Sequence, residues 1–333
     1  MRATITGPYP RVGSEIGDEL RKEQNRVYSG HGSLERVREL QEKLTREIVS
    51  EIVLAGIDLP NSGLIDVHDE LTWPLEFAYG VEFGGMKKIF HTNMHYREVL
   101  VGENISKKGS IANGLFNIAF EVSQNVKLEL PGPYTMARHS VLVSERRFSN
   151  LIDLAREYAG LYRQELIEIE REGNSFSIVQ FNEPSIVAFG RSKEEIDKLP
   201  EIYSKMLDGL NLGSAVCTYY GKYDDKTLDI LLSLPVGTVG LDFVWDPEVE
   251  KIIKRKDIEK GIGFGLVDSG DRGYIAMENV SNLLDRLRSF RGYVDFSKSY
   301  ISSNATLEHL PRNIAREKIK LIGETVRRFN DEN

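Results

Sequence analysis

"AVCTYYGKYDDKTLDILLSLPVGTVGLDFV", residues 215–244, decides how this chain folds. It opens on a short apolar run that ends in a Tyr-Tyr-Gly turn. A helical stretch, "KTLDILLSL", follows, and a second β-rich run, "TVGLDFV" (238–244), closes it. Asp225 is placed where a helix N-cap belongs, its short side chain free to accept from unpaired backbone N–H groups. Strand, helix and strand in that order read as one unit of a parallel sheet.

The same unit recurs in both directions. Upstream lie the strand patterns "ATITGPYP" (3–10), "GIDLPNSG" (56–63), "VKLELPGP" (126–133) and "FSIVQFNEP" (176–184); downstream lie "GIGFGLVD" (261–268) and "YVDFSKSYISSN" (293–304). Each is apolar in its body and ends in Gly, Pro, Asn or Asp. Between them run helical patterns, clearest in residues 33–55, where Leu34, Val37, Leu40, Leu44, Ile48, Ile52 and Val53 share one face. Residues 146–172 repeat that spacing, and Asp246 is placed as a further N-cap. Eight strands alternating with helices predict a single (βα)8 TIM barrel over 1–333. Residues 64–125, between strands two and three, are predicted as an insertion at the barrel mouth, with "KKIFHTN" as an extra strand.

Composition bounds the function. In 333 residues, 41% are apolar and 28% charged, the net charge is −8, and no block of five like charges occurs. That excludes the basic footprint of a nucleic-acid binder and a polybasic membrane patch. The N-terminus lacks the apolar run of a signal peptide, and no 18-residue apolar segment exists. One cysteine, Cys217, cannot form an internal disulfide. The expectation is a cytoplasmic protein.

Barrels of this kind meet their ligands at the C-terminal strand ends. Those ends deliver Tyr9 and Arg11, Asn61, Gly132 and Thr135, Asn182 and Glu183, then Cys217, Tyr219 and Tyr220. The last three strands bring Asp242, then Asp268 and Ser269, then Ser302, Ser303 and Asn304. Such a set suits a flat, hydrogen-bonding organic molecule better than a bare metal ion. "HTNMH" sets His91 and His95 four apart, with Asp66, His68, Asp69 and Glu70 upstream in "DVHDE". On one helical turn this spacing can hold zinc, but "KIFHTNMHY" begins as a strand and no Glu follows His91, so a structural role is the plainer reading. His139 and His309 have no metal-like neighbours.

Several stretches, in order, resemble the cobalamin-independent methionine synthase family: "GPYPRVG" with "DELRKEQNRVYSG", "AGIDLPNSGLIDVHDEL", "MKKIFHTNMHY", "LPGPYTM", "VQFNEPSIV", "TYYGKYDDKTLDILLSLPVGTVGLDFV" and "YISSNATLEHLP". The resemblance covers nearly the whole chain and implies one of that family's two barrels. In the family the C-terminal barrel carries zinc, homocysteine and the reaction, while the N-terminal barrel helps hold the polyglutamate tail of methyltetrahydrofolate. The zinc ligands of the catalytic barrel fall here on Ala215-Val216-Cys217, near Asp242 and near Asn304, and one cysteine cannot supply two thiolates. The resemblance is therefore to the N-terminal barrel, with Cys217 a small buried strand residue.

Carried over by that resemblance, the methyl-donor-binding residues are Asp18, Glu19, Leu20, Arg21 and Lys88, with Asn182 and Glu183 of "QFNEPS" as a further contact. Arg21, Lys22, Lys87 and Lys88 have the charge to pair with glutamate carboxylates. The implied function is a component of methyl transfer to homocysteine in methionine biosynthesis. It has no cofactor of its own, zinc on a separate catalytic barrel as partner, and methylfolate or methylcobamide as donor. The alternatives are an independent methyltransferase with another donor or an unrecognised metal site, and a non-catalytic binding or scaffold barrel.

Overall fold

Strands buried on both faces need helices outside them, and that requirement shapes the molecule. The computed structural model describes residues 1–90, 92–112, 115–143, 148, 150–173, 176–188, 192–270 and 278–332. His91 and the first residues of the 146–172 helix pattern lie outside these. The strands are β1 (Arg2–Ala3), β2 (Ala78–Lys88), β3 (His95–Lys107), β4 (Lys127–Pro131), β5 (Ser140–Leu142), β6 (Ile178–Asn182), β7 (Ser214–Cys217), β8 (Thr238–Asp242), β9 (Gly261–Val267) and β10 (Tyr300–Ser303). The helices are α1 (Glu15–Tyr28), α2 (Leu34–Leu54), α3 (Leu115–Val122), α4 (Pro133–Arg138), α5 (Leu151–Glu172), α6 (Lys193–Ile196), α7 (Leu199–Leu207), α8 (Asp225–Ser233), α9 (Val249–Ile253), α10 (Val280–Arg288) and α11 (Arg312–Asp331).

Among the described residues, seven strands form one curled parallel sheet in the order β1-β10-β9-β8-β7-β6-β4. Residues 57–61 touch both of its edges. Leu59 bridges Thr4 in parallel, the Thr4 hydroxyl donates to Leu59 O at 2.7 Å, and Lys127 N donates to Pro60 O at 2.8 Å. The sequence pattern predicts a full strand over 56–63. The segment forms a single bridge because Pro60 has no N–H to give a ladder. Two other predicted strands are shorter than their patterns. The first is limited to Arg2–Ala3 and the Thr4 bridge, since Gly7 at φ +76° and the prolines after it turn the chain. The last begins at Tyr300, because Asp295 caps a 3-10 turn at Phe296–Lys298 by accepting from Ser297 N at 2.9 Å.

Helix starts follow their capping chemistry. Ser33 accepts from Arg36 N to open α2, and Leu40, Leu44, Ile48 and Ile52 of the predicted face are buried, whereas Leu34 is exposed. The cap of α8 is Asp224 rather than Asp225: its Oδ1 accepts from Thr227 N at 2.8 Å. Asp246 accepts from Tyr223 N at 2.9 Å and Glu248 N at 3.3 Å, joining two loops ahead of α9.

Within residues 64–125, β2 and β3 pair as a long antiparallel hairpin, and β5 adds to β3 in parallel. Of the predicted strand "KKIFHTN" (87–93) only Lys87 and Lys88, among the described residues, are in a strand, the end of β2, and β3 begins beyond it at His95. Aromatic contacts set the tip against the main sheet's strand ends. Phe90 lies 5.4 Å from the His139 ring and 6.0 Å from Tyr220. No helix among the described residues is long and apolar enough to cross a membrane.

Candidate functional site

The sheet interior and its C-terminal strand ends carry three polar groupings that differ in how completely they are satisfied. The deepest centres on Lys127 and Glu129, both buried on β4. Lys127 Nζ donates to Ile5 O at 2.5 Å and to Gln180 Oε1 at 3.0 Å, and lies 3.1 Å from Glu129 Oε2. Glu129 also accepts from Gly7 N, from Asn61 Nδ2 at 3.0 Å and from Asn182 Nδ2 at 2.7 Å. Asn182 in turn accepts from Gln180 Nε2 at 2.8 Å. A buried ion pair this fully bonded rigidifies a core instead of awaiting a ligand.

Glu183 is equally committed. Its carboxylate accepts from Tyr134 N at 3.0 Å, Thr135 N at 2.7 Å and Tyr203 Oη at 3.0 Å, capping the start of α4. A Cβ on Gly132 would fall 2.0 Å from Glu183 Cδ, so only glycine lets the carboxylate lie there. Burial pushes this carboxyl up to about 7. Asp242, at the end of β8, accepts from Trp245 N at 2.8 Å, Val244 N at 3.0 Å, Tyr220 N at 3.2 Å and Asn304 Nδ2 at 3.1 Å. Burial pushes it up to about 6.

The third grouping is unsatisfied. Both Glu70 carboxyl oxygens, Tyr219 Oη and Tyr220 Oη are buried without a hydrogen-bond partner among the described residues. Burial, reinforced by the charges of Glu308, Asp69 and Glu129, raises the Glu70 carboxyl well above its ordinary value. The two tyrosine rings meet edge to face at 4.8 Å, and both phenols lie within the electrostatic reach of Glu70. Buried polar atoms without partners cost roughly 1–3 kcal/mol each, so a native site that keeps them is shaped for water or a ligand. A pocket of about 410 Å³ is lined by one of these residues, Tyr220, together with Trp245, Asp268, Asn304, His309 and hairpin residues 92–94. Its chemistry is that of a mixed apolar and hydrogen-bonding organic ligand.

Of the residues assigned to donor binding from sequence, Asp18 and Arg21 pair with each other on one helix, and no hydrogen bond or ion pair among the described residues joins these to Lys88, Asn182 or Glu183. Leu20 is core. Glu19 pairs with Arg36 at 2.6 Å, and Arg21 lies 4.0 Å from Asp18 on its own helix, half exposed. Lys88 is exposed at the end of β2, opposite His95 across the hairpin. Asn182 and Glu183 are interior. Trp245 escapes the sequence reading, although its place two residues past "LDF" at a strand end marks it. Glu70 stands there in the "DVHDE" cluster under a metal reading; an acid set among Val67, Leu71 and Trp73 is the better signal.

The residues present do not fit the family's zinc. Cys217 is buried in a small cluster with Tyr219, Tyr220 and Ala305, and burial pushes its thiol up to about 12. Asp242 is saturated by the four donors above, and Asn304 is an amide. His68 lies 3.0 Å from Asp69 and 2.7 Å from Glu76, as charge contacts rather than aligned hydrogen bonds. Asp69 is already engaged by Leu71 N, Thr72 N and Arg97 N. Among the described residues no three His, Cys, Asp or Glu side chains converge as a metal site requires.

Fold and site together define a mixed α/β protein with a curled parallel sheet and a pocket at its strand ends. Comparison with known proteins then gives the family: residues 80–292 match the model described as cobalamin-independent synthase, N-terminal domain, and the chain belongs to that family. A methionine synthase from Sulfurisphaera tokodaii is 25% identical over 324 residues, covering 96% of this chain and 89% of the relative. One from Saccharolobus islandicus is 25% identical over 323 residues, covering 96% and 92%. Among solved structures, a B12-independent methionine synthase from Shewanella sp. W3-18-1 superimposes with a TM-score of 0.77 at 19% identity, covering 100% of this chain and 99% of that one.

Proposed function

We propose that this chain is an N-terminal-type (βα)8 barrel of a methionine-synthase-like methyltransferase, holding the methyl donor for a separate zinc-bearing barrel that methylates homocysteine. The barrel reading takes residues 57–61 as the eighth strand position, because they bond to both edges of the seven-stranded sheet. The observation that carries the functional reading is the 410 Å³ pocket lined by Tyr220, whose buried phenol has no hydrogen-bond partner among the described residues and whose ring packs on Tyr219, with Glu70 within charge reach behind them. A neutral Glu70 can donate and accept, and two phenols can turn to meet a polar ring edge. The hairpin tip over the pocket would exclude water from a bound donor.

In this reading Arg21 and Lys88 meet the acidic tail of a methylfolate, with Asp18, Glu19 and Leu20 fixing the helix that presents Arg21. Asn182 and Glu183 act through the shape of the mouth. A methylcobamide is the other donor considered. One observation favours a second reading, catalysis by this chain itself: relatives named methionine synthase are nearly its own length.

Calorimetry tests the donor site. Glu70→Leu removes a buried unpaired acid and should raise stability by roughly 1–3 kcal/mol while weakening 5-methyltetrahydrofolate binding. Arg21→Ala with Lys88→Ala should weaken binding of the triglutamate form by about tenfold or more, and of the monoglutamate less. Wild type that binds neither methylfolate nor methylcobamide would remove the proposal.

A further inference from the structure

Asp242 makes more use of its two oxygens than any ordinary strand-end carboxylate needs. Its donors come from the ends of three strands: Tyr220 N past β7, Val244 N and Trp245 N past β8, and Asn304 Nδ2 past β10. Tyr220, Val244, Trp245 and Asn304 all line the 410 Å³ pocket. Tyr220 sits at φ +65°, in the left-handed region that a tyrosine rarely adopts. Holding it there needs a fixed partner for its N–H. Asn304 extends the link, since its Oδ1 accepts from Ser269 N at 2.9 Å, another pocket residue.

We infer that Asp242 is a positioning residue: its carboxylate joins three strand ends by hydrogen bonds alone and so holds Tyr220, Trp245 and Asn304 as the wall of the ligand pocket. The inference deepens the reading of the mouth as a donor site and takes its functional meaning from it. Its geometry explains why these strand ends do not suit a metal. Every Asp242 lone pair that could face one is directed at an N–H of the pocket wall. Trp245, 43% exposed, is the flat apolar face that the link presents to a ligand.

The chain reports on this link without any ligand. It has two tryptophans; Trp73 is 5% exposed, so acrylamide reaches Trp245, and Trp245→Phe should remove the quenchable emission. Asp242→Asn places an Nδ2 donor against the Asn304 Nδ2 and Tyr220 N donors. Asn304 cannot flip to accept it without orphaning Ser269 N. Emission from Trp245 should shift to longer wavelength and its quenching should rise toward that of free indole, with the far-UV spectrum unchanged. Asn304→Asp, which sets two carboxylates together, should do the same. Combining Asp242→Asn with Asn304→Asp reverses the β8–β10 part of the link: the new amide on β8 donates to a new carboxylate past β10, which still accepts from Ser269 N, while Tyr220 N is left facing the amide nitrogen. The pair should recover part of the wild-type quenching relative to either single variant, which a residue that only fills space would not show.

Wild-type quenching in folded Asp242→Asn, or no recovery in the swapped pair, would overturn the inference. Should Asp242→Asn fail to fold, Asn304→Ala keeps the three backbone bonds of Asp242. Higher quenching there supports the link and unchanged quenching overturns it. Because no donor is added, this result stands apart from whether methylfolate binds.

Discussion

Two buried glutamates at the mouth show how environment divides one side-chain type into two roles. Glu183 is surrounded by three donors and holds α4 in place; Glu70 has none among the described residues. The difference was not legible in sequence, because Glu183 in "NEPS" reads as a strand-end acid and Glu70 in "DVHDE" as one of the acids around His68, and only three-dimensional neighbours show which is satisfied. Glu183 gives a pH prediction. Its folded carboxyl rises from 4.5 to about 7, so the folded state takes up a proton more readily than the unfolded one. The stabilisation from this group is complete below pH 4.5 and is lost as pH rises to about 7. A shift of that size corresponds to roughly 3 kcal/mol. Glu183→Gln should flatten the fall in stability across that window, measured by urea unfolding at several pH values. Parallel curves for variant and wild type would contradict the assignment.

Among the elements, the hairpin β2–β3 is where sequence reading reached least far. The long helices were legible from spacing, and α2 begins and ends within a residue of its pattern. The hairpin was reduced to one short strand because its glycines and charges interrupt the alternation that marks a strand, and its pairing is long-range. What fixes it is the base of the loop before it. Asp69 accepts from Arg97 N at 3.1 Å, and the Thr72 hydroxyl donates to Arg97 O at 3.1 Å. His68 lies edge-on to Phe83 of β2 at 5.1 Å, between Asp69 and Glu76. Burial lowers the imidazole's affinity for a proton, but the two carboxylates outweigh it and the net value rises to about 9. His68 therefore stabilises the latch fully below pH 6.5, and the contribution disappears as pH passes 9. His68→Asn should cost roughly 1–3 kcal/mol at pH 7 and much less at pH 10, with faster amide exchange at Arg97 at the lower pH. An equal deficit at both pH values would show that the ring acts by packing alone.

For the whole molecule, the strand–helix alternation read from residues 215–244 carried the architecture, because fully buried parallel strands are written as unbroken apolar runs. β6, β8 and β9 are buried at every position. The exact strand lengths were not carried, since Pro60, Gly7 and the Asp295 cap act on hydrogen bonding, which hydropathy does not report. Nor was the pocket, which exists only where the hairpin tip meets four strand ends. The central proposal is that this chain holds a methyl donor and needs a separate zinc-bearing barrel to react. The direct test is homocysteine methylation from methylfolate or methylcobamide, by this chain alone and mixed with a zinc-bearing barrel from the same cells. The account predicts turnover only in the mixture. Turnover by this chain alone, at a rate comparable to the mixture, would contradict it.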